Sequence, residues 1–153
     1  MNEEWNKGAL LRIEHSDWAN RQIYFMLENE PLDSKPWQLF AHVLAATHHW
    51  LARLMHKEVT LPIWLVFTAK QEAFGLLEAN HRSLISLSQS LSLHQSIAYK
   101  NSKGEPFEME VWEIVEHVFL HEHYHRGQIN MEAKRQGLVP VGVDMIYYLR
   151  MRK

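Results

Sequence analysis

A chain of 153 residues, 46% hydrophobic and 22% charged, has room for one globular domain with a real core and is short for two. Its formal net charge of -2 gives no general attraction to nucleic acid or to an anionic membrane surface. The absence of cysteine excludes disulfides, thiolate metal sites and cysteine nucleophiles.

The opening residues, MNEEWNKGALL, have neither the basic start nor the apolar run of a signal peptide, and no window approaches a membrane span. A cytoplasmic location is therefore expected. A first helix is predicted from about Glu4 to Glu28, broken by Pro31 and the Asp33-Ser34 pair. Ser34 followed by Pro36 resembles an N-cap entry to a second helix, Pro36 to about Lys57. Leu39, Val43 and Trp50 lie toward one side of that helix, and Phe40, Leu44, Leu51 and Leu54 toward the other. A helix apolar on two sides is either central in a bundle or covered by a partner subunit.

Pro62 marks a break, and a third helix is predicted from about Trp64 to a serine-rich end near Ser90. Gln95 to Lys100 and Glu105 to Met109 flank a Gly104-containing turn and read as a short β-hairpin, which must pack on the helices to be stable. The fourth helix runs from Val111 to near Gly137, a C′ glycine with Pro140 beyond it. A short last helix, Val143 to about Met151, follows. These elements predict a single all-α domain over residues 1–153, a four-helix bundle with a hairpin and a short C-terminal helix.

The chemistry concentrates in the fourth helix. Its apolar stripe reads Val111, Ile114, Val118, His121, His125, Ile129, so two histidines one turn apart interrupt an aliphatic face. Buried imidazoles need partners, and histidines at i and i+4 can chelate one divalent ion. His117 drifts to the edge of the stripe and is expected at the rim. A third ligand would come from the second helix, where His42, Ala46, His49 and Arg53 form a small-and-polar strip. His42 is the first choice, although periodicity alone does not choose between His42 and His49. His15, His56, His94 and His123 are expected to be surface residues without a role.

Three other patterns compete. His121-Glu122-His123-Tyr124-His125 matches H-E-x-x-H, the zinc hydrolase pattern. The later glycine and third histidine of the longer pattern are missing. Apart from that pattern, Glu122 and Tyr124 are candidates for modulating the metal site, Glu122 as a proton acceptor or ligand-orienting group, or else solvated or paired with a basic residue. Glu78-x-x-His81 and Glu122-x-x-His125 suggest a di-iron site, but the second helix has no acid between Asp33 and Glu58 to complete it. A binding protein without catalysis is the third alternative, and no basic stripe or basic amphipathic helix directs it to nucleic acid or membranes. Arg126 is expected either to bind a substrate carboxylate or to form a structural ion pair. Trp37, Trp50, Trp64 and Trp112 are expected in the core or at an interface.

His117-Val118-Phe119-Leu120-His121-Glu122-His123-Tyr124-His125-Arg126-Gly127-Gln128-Ile129 resembles the HxxxHxxYHRGQ element of the DinB/YfiT-like superfamily of metal-binding four-helix bundles. Phe40-Ala41-His42-Val43-Leu44-Ala45-Ala46, with Trp50 beyond it, resembles the helix-two ligand segment of that family. Trp18-Ala19-Asn20 and Asp144 to Leu149 resemble its first and closing helices. The resemblance implies a down-up-up-down bundle, often a homodimer, with His42, His121 and His125 as ligands for nickel, zinc or a similar divalent ion. It also implies kinship with enzymes that activate a low-molecular-weight thiol such as bacillithiol or mycothiol. The expected function is that of a metal-dependent thiol S-transferase-like enzyme with a small-molecule substrate.

Overall fold

The computed structural model describes Trp5 and residues 7–153. Five helices and one hairpin follow in order: α1 Lys7–Leu27, α2 Lys35–Leu54, α3 Lys70–Ser90, β1 Ser96–Lys100, β2 Pro106–Glu110, α4 Val111–Arg135 and α5 Met145–Met151. The protein is mostly helical, as expected. The predicted start of the first helix, Glu4, lies outside the described residues. No described helix is long and apolar enough to cross a membrane.

Ser34 is the N-cap of α2 and Pro36 sits in its first turn, as the sequence predicts. The helix stops at Leu54, three residues before the predicted end, because His56 adopts a left-handed φ of 52°. That turn lets the Lys57 N–H reach back to the Ala52 carbonyl at 2.8 Å and satisfy a helix-end acceptor. The third helix also differs from expectation, since it begins at Lys70 rather than Trp64. Glu72 fixes this start, its carboxylate accepting the backbone N–H groups of Thr68 at 2.9 Å and Ala69 at 3.3 Å. Residues 56–69 consequently cross the surface as an irregular segment.

β1 and β2 pair antiparallel, with Ser96 opposite Glu110 and Lys100 opposite Pro106. Gly104 takes the positive φ of 81° that the turn requires, and Asn101 Oδ1 accepts the N–H groups of Lys103 and Glu105. The hairpin is anchored by Ile97, whose side chain is buried in the helical core. Gly137 ends α4 with a φ of 86°, as predicted, and Leu138 N–H bonds the Ala133 carbonyl at 3.0 Å.

The interior has two apolar clusters. One gathers Ile23, Leu27, Trp37, Phe40, Leu44 and Ile129, and the other Ile13, Leu51, Leu54, Ile97, Val111 and Ile114. α2 packs against α1, α3, α4 and β1, so its wide apolar surface is covered within the chain. Between the clusters lies a polar layer of Ser16, Asn20, Thr47, Asn80, Glu122 and Arg126, all buried. Asn80 donates to the Leu44 carbonyl there at 2.9 Å.

Candidate metal centre

The buried face of α4 differs from the predicted stripe. Val111, Ile114, Val115 and Val118 continue through Glu122 and Arg126 to Ile129 and Ala133. His121 and His125 precede Glu122 and Arg126 by one residue, roughly 100° around the helix, and are half-buried on the flank. The two charged residues, not the histidines, occupy the centre of the face. They are tolerated because they answer each other and their surroundings. Glu122 accepts hydrogen bonds from Ser16 Oγ, Thr47 Oγ1 at 2.9 Å, Asn20 Nδ2 at 3.3 Å and Arg126 Nη1 at 3.3 Å. Arg126 also donates to Asn20 Oδ1 at 2.9 Å. Of the two roles expected for Arg126, the structure shows the ion pair.

On the flank the two α4 histidines meet His42 of α2. One nitrogen from each ring lies within 4.8 Å of those of the other two, a grouping that permits metal binding. His121 Nε2 and His125 Nε2 are 3.1 Å apart. Two nitrogens bound to zinc at about 2.0–2.1 Å in tetrahedral geometry stand about 3.3 Å apart, so the pair needs only a small adjustment. The His42 ring centroid is 5.3 Å from that of His121 and 4.9 Å from that of His125.

Hydrogen bonds set the tautomers toward the same end. His42 Nδ1 faces the Ile63 carbonyl at 3.1 Å, and an N–H there leaves the Nε2 lone pair free. His125 Nδ1 is 2.6 Å from Gln128 Oε1, with the same consequence for its Nε2. Burial pushes the His121 pKa down to about 4, with His125, His42 and His117 adding to the effect. Burial also lowers that of His42, against the opposing pull of the Ile63 carbonyl. Neutral imidazoles are the form that ligates a metal.

The other sequence candidates fall around this cluster. His117 lies at its rim, its ring 5.8 Å from that of His121 and 5.0 Å from that of Trp50. His49 is not part of it. Its Nε2 instead hydrogen-bonds the Leu61 carbonyl at 2.6 Å, so His42 and His49 together hold the 56–69 segment against α2. Trp64, expected in the core or at an interface, is 57% exposed and stacks on the His42 ring at 4.1 Å between centroids. Nothing in the sequence marked it as a neighbour of the ligand, because it comes from a segment without periodicity. Trp37 is buried and donates to the Leu27 carbonyl at 2.8 Å, whereas Trp112 is largely exposed. His56, His94 and His123 are exposed, but His15 is buried, contrary to expectation. Its Nε2 bonds the Val143 carbonyl at 2.7 Å. Glu78 sits beside Arg21 and Arg82, and His81 beside Asp17, in pairs that leave the di-iron pattern without support.

The DinB family model matches residues 36–153, which include both helices that carry the histidines. The chain is also 23% identical to the protein DinB of Bacillus subtilis (strain 168), over an alignment of 164 residues covering 95% of each protein. A family match across more than half the sequence, embracing a convergent three-histidine cluster, establishes that this chain belongs to the DinB family.

Proposed function

We propose that the protein holds a divalent ion, nickel or zinc, through His42, His121 and His125, and acts as a thiol S-transferase-like enzyme. The observation that carries this proposal is the convergence of three imidazole nitrogens in a chain that has no cysteine of its own. Three histidines leave room for an exogenous ligand, the open arrangement of catalytic sites. A bound ion would supply the positive charge that favours a thiolate over a thiol. The thiol would be a low-molecular-weight one such as bacillithiol.

The chain's own residues supply position and shelter. Gln128 and the Ile63 carbonyl orient His125 and His42, and Trp64 covers the outer face of the His42 ring. A cavity of about 400 Å³ lined by Leu39, Trp64, His125 and Met131 opens beside the cluster and offers an electrophilic substrate a partly apolar wall. Glu122 already accepts four hydrogen bonds, which argues for a positioning part within the interior and against the proton acceptor of a zinc hydrolase. We also take α1 to α4 to form the down-up-up-down bundle that the family resemblance implies.

Metal analysis of the purified protein beside its His42→Ala and His125→Ala variants tests the site. Near-stoichiometric metal in the parent and at least a tenfold loss in each variant is expected, and unchanged content in both removes the proposed site. Incubation with bacillithiol and a panel of electrophiles tests the chemistry. A conjugate that forms only with metal present is expected, and its absence across the panel leaves a non-catalytic metal-binding protein.

A further inference from the structure

The C-terminal end of α2 and the hairpin border a second, open cavity of about 420 Å³. Its lining includes Arg53, Lys57 and Lys100, together with His49 and His56, and contains no carboxylate. Three basic residues thus line one concavity in a chain whose net charge is -2. Most guanidinium groups of the protein are neutralised. Six of its eight arginines stand in ion pairs with a carboxylate, whereas Arg53 and the C-terminal Arg150 have none among the described residues. Lys57 and Lys100 also lack one.

Arg53 is nevertheless held in place. Its guanidinium lies over the Trp50 ring at 4.4 Å and near the Tyr99 ring at 5.4 Å. Stacking fixes the plane of the fork while leaving its N–H edge free for a planar acceptor. The side chain is half-buried, so it gives up hydration that no internal anion replaces. Its place in the last turn of α2 is favourable for a cation, but that explains neither the stacking nor the presence of Lys100 of the hairpin in the same lining.

A chain of ring contacts links Arg53 to the histidine cluster. The Trp50 ring under Arg53 touches His117 at 5.0 Å between centroids, and His117 lies 5.8 Å from His121. His42 and Arg53 are eleven residues apart on α2, roughly 16 Å along the axis. We propose that this cavity is an anion-binding subsite, centred on Arg53, for a carboxylate or phosphate carried by the molecule whose other end reaches the histidine cluster. A ligand spanning both has the reach of about four to five extended residues. An anionic thiol or conjugate of peptide-like length meets this requirement, and a small neutral thiol does not. The inference deepens the proposed function and rests on it for what happens at the far end of the ligand.

Titration of the full chain in low-salt buffer with succinate, inorganic phosphate and the neutral control succinamide tests the subsite. Tryptophan fluorescence, to which Trp50 under Arg53 contributes, and calorimetry supply the readouts. Saturable binding of succinate or phosphate, but not succinamide, is expected, and the tighter of the two anions names the ligand's charged group. Arg53→Gln should weaken that binding tenfold or more, with circular dichroism unchanged. Lys57→Gln/Lys100→Gln, at two exposed positions, should weaken it at least threefold and carries the test where Arg53→Gln fails to fold. His42→Ala should abolish metal retention but keep the anion affinity, which separates this proposal from the metal site. Absence of saturable anion binding, or parental affinity in the basic-residue variants, overturns the subsite. So does binding that survives Arg53→Gln and disappears in His42→Ala, because it places the anion on the metal.

Discussion

Glu122 and Arg126 show how a single charged pair can mislead a hydrophobicity pattern. Read by its gaps of three and four residues, the aliphatic stripe from Val111 to Ile129 takes in His121 and His125. In the fold both charged side chains are about 2% exposed and lie among Ser16, Asn20 and Thr47. The need for this pair to be buried together depends on partners from α1 and α2, which no local pattern reveals. The histidines were legible for a different reason. Their spacing on α4 points to a chelate, the polar strip of α2 offers His42 as first choice beside His49, and the family resemblance implies His42. Removing one member of the buried pair leaves the other charge without compensation. Glu122→Ala and Arg126→Met should each lower stability by about 3–5 kcal/mol in urea unfolding, measured with metal content per folded molecule. Unchanged metal content is expected. A stable Glu122→Ala protein that keeps its metal and loses thiol transfer would instead return Glu122 to the chemistry.

At the scale of elements, the helices that carry the histidines were largely legible, and the segment that covers them was not. Ser34, Pro36 and Gly137 are conventional boundary residues and stood where the structure uses them. His56 ends α2 in a left-handed conformation more often taken by glycine or asparagine, so its sequence gave no stop signal. Trp64 to Phe67 is apolar enough to extend a helix, but Thr68, Ala69 and Glu72 place the start later. The four-residue separation of Thr68 and Glu72 was the available clue. The resulting segment is held through two carbonyls, Leu61 to His49 and Ile63 to His42, and through the Trp64 stack. Metal at His42 Nε2 would strengthen the opposite Nδ1 hydrogen bond and quiet the segment. Hydrogen exchange in peptides covering residues 58–67 should slow on metal addition to the parent and remain unchanged in His42→Ala. Trp64→Ala should speed exchange there and weaken metal affinity about tenfold. Equal exchange with and without metal in a loaded parent would disconnect the segment from the site.

At the scale of the whole molecule, polar contacts tie the C-terminal segment before α5 to α1 and α4. Asn130 exchanges hydrogen bonds with Val141, at 2.9 and 3.1 Å, and His15 of α1 bonds the carbonyl of Val143 just before α5. His15 lies beside Trp18 and Tyr148, with Arg126, His123 and Glu122 also acting on its charge. Burial is the largest influence and lowers its pKa below 6.5, the Val143 carbonyl opposing that shift. Below pH 6.5 the unfolded chain therefore takes up a proton that the folded site resists. Stability contributed by neutral His15 is present above that pH and declines as pH falls toward the lower, folded-state value. The urea midpoint should fall between pH 7.5 and pH 5.5. His15→Gln retains an N–H for Val143 but cannot titrate in this range, so its midpoint should fall less. Measurements on metal-free protein in chelator keep ligand protonation the same in both samples. Parallel declines in parent and variant would mean that the closure around Val143 is insensitive to the charge of His15, and the pH dependence would then belong to other groups.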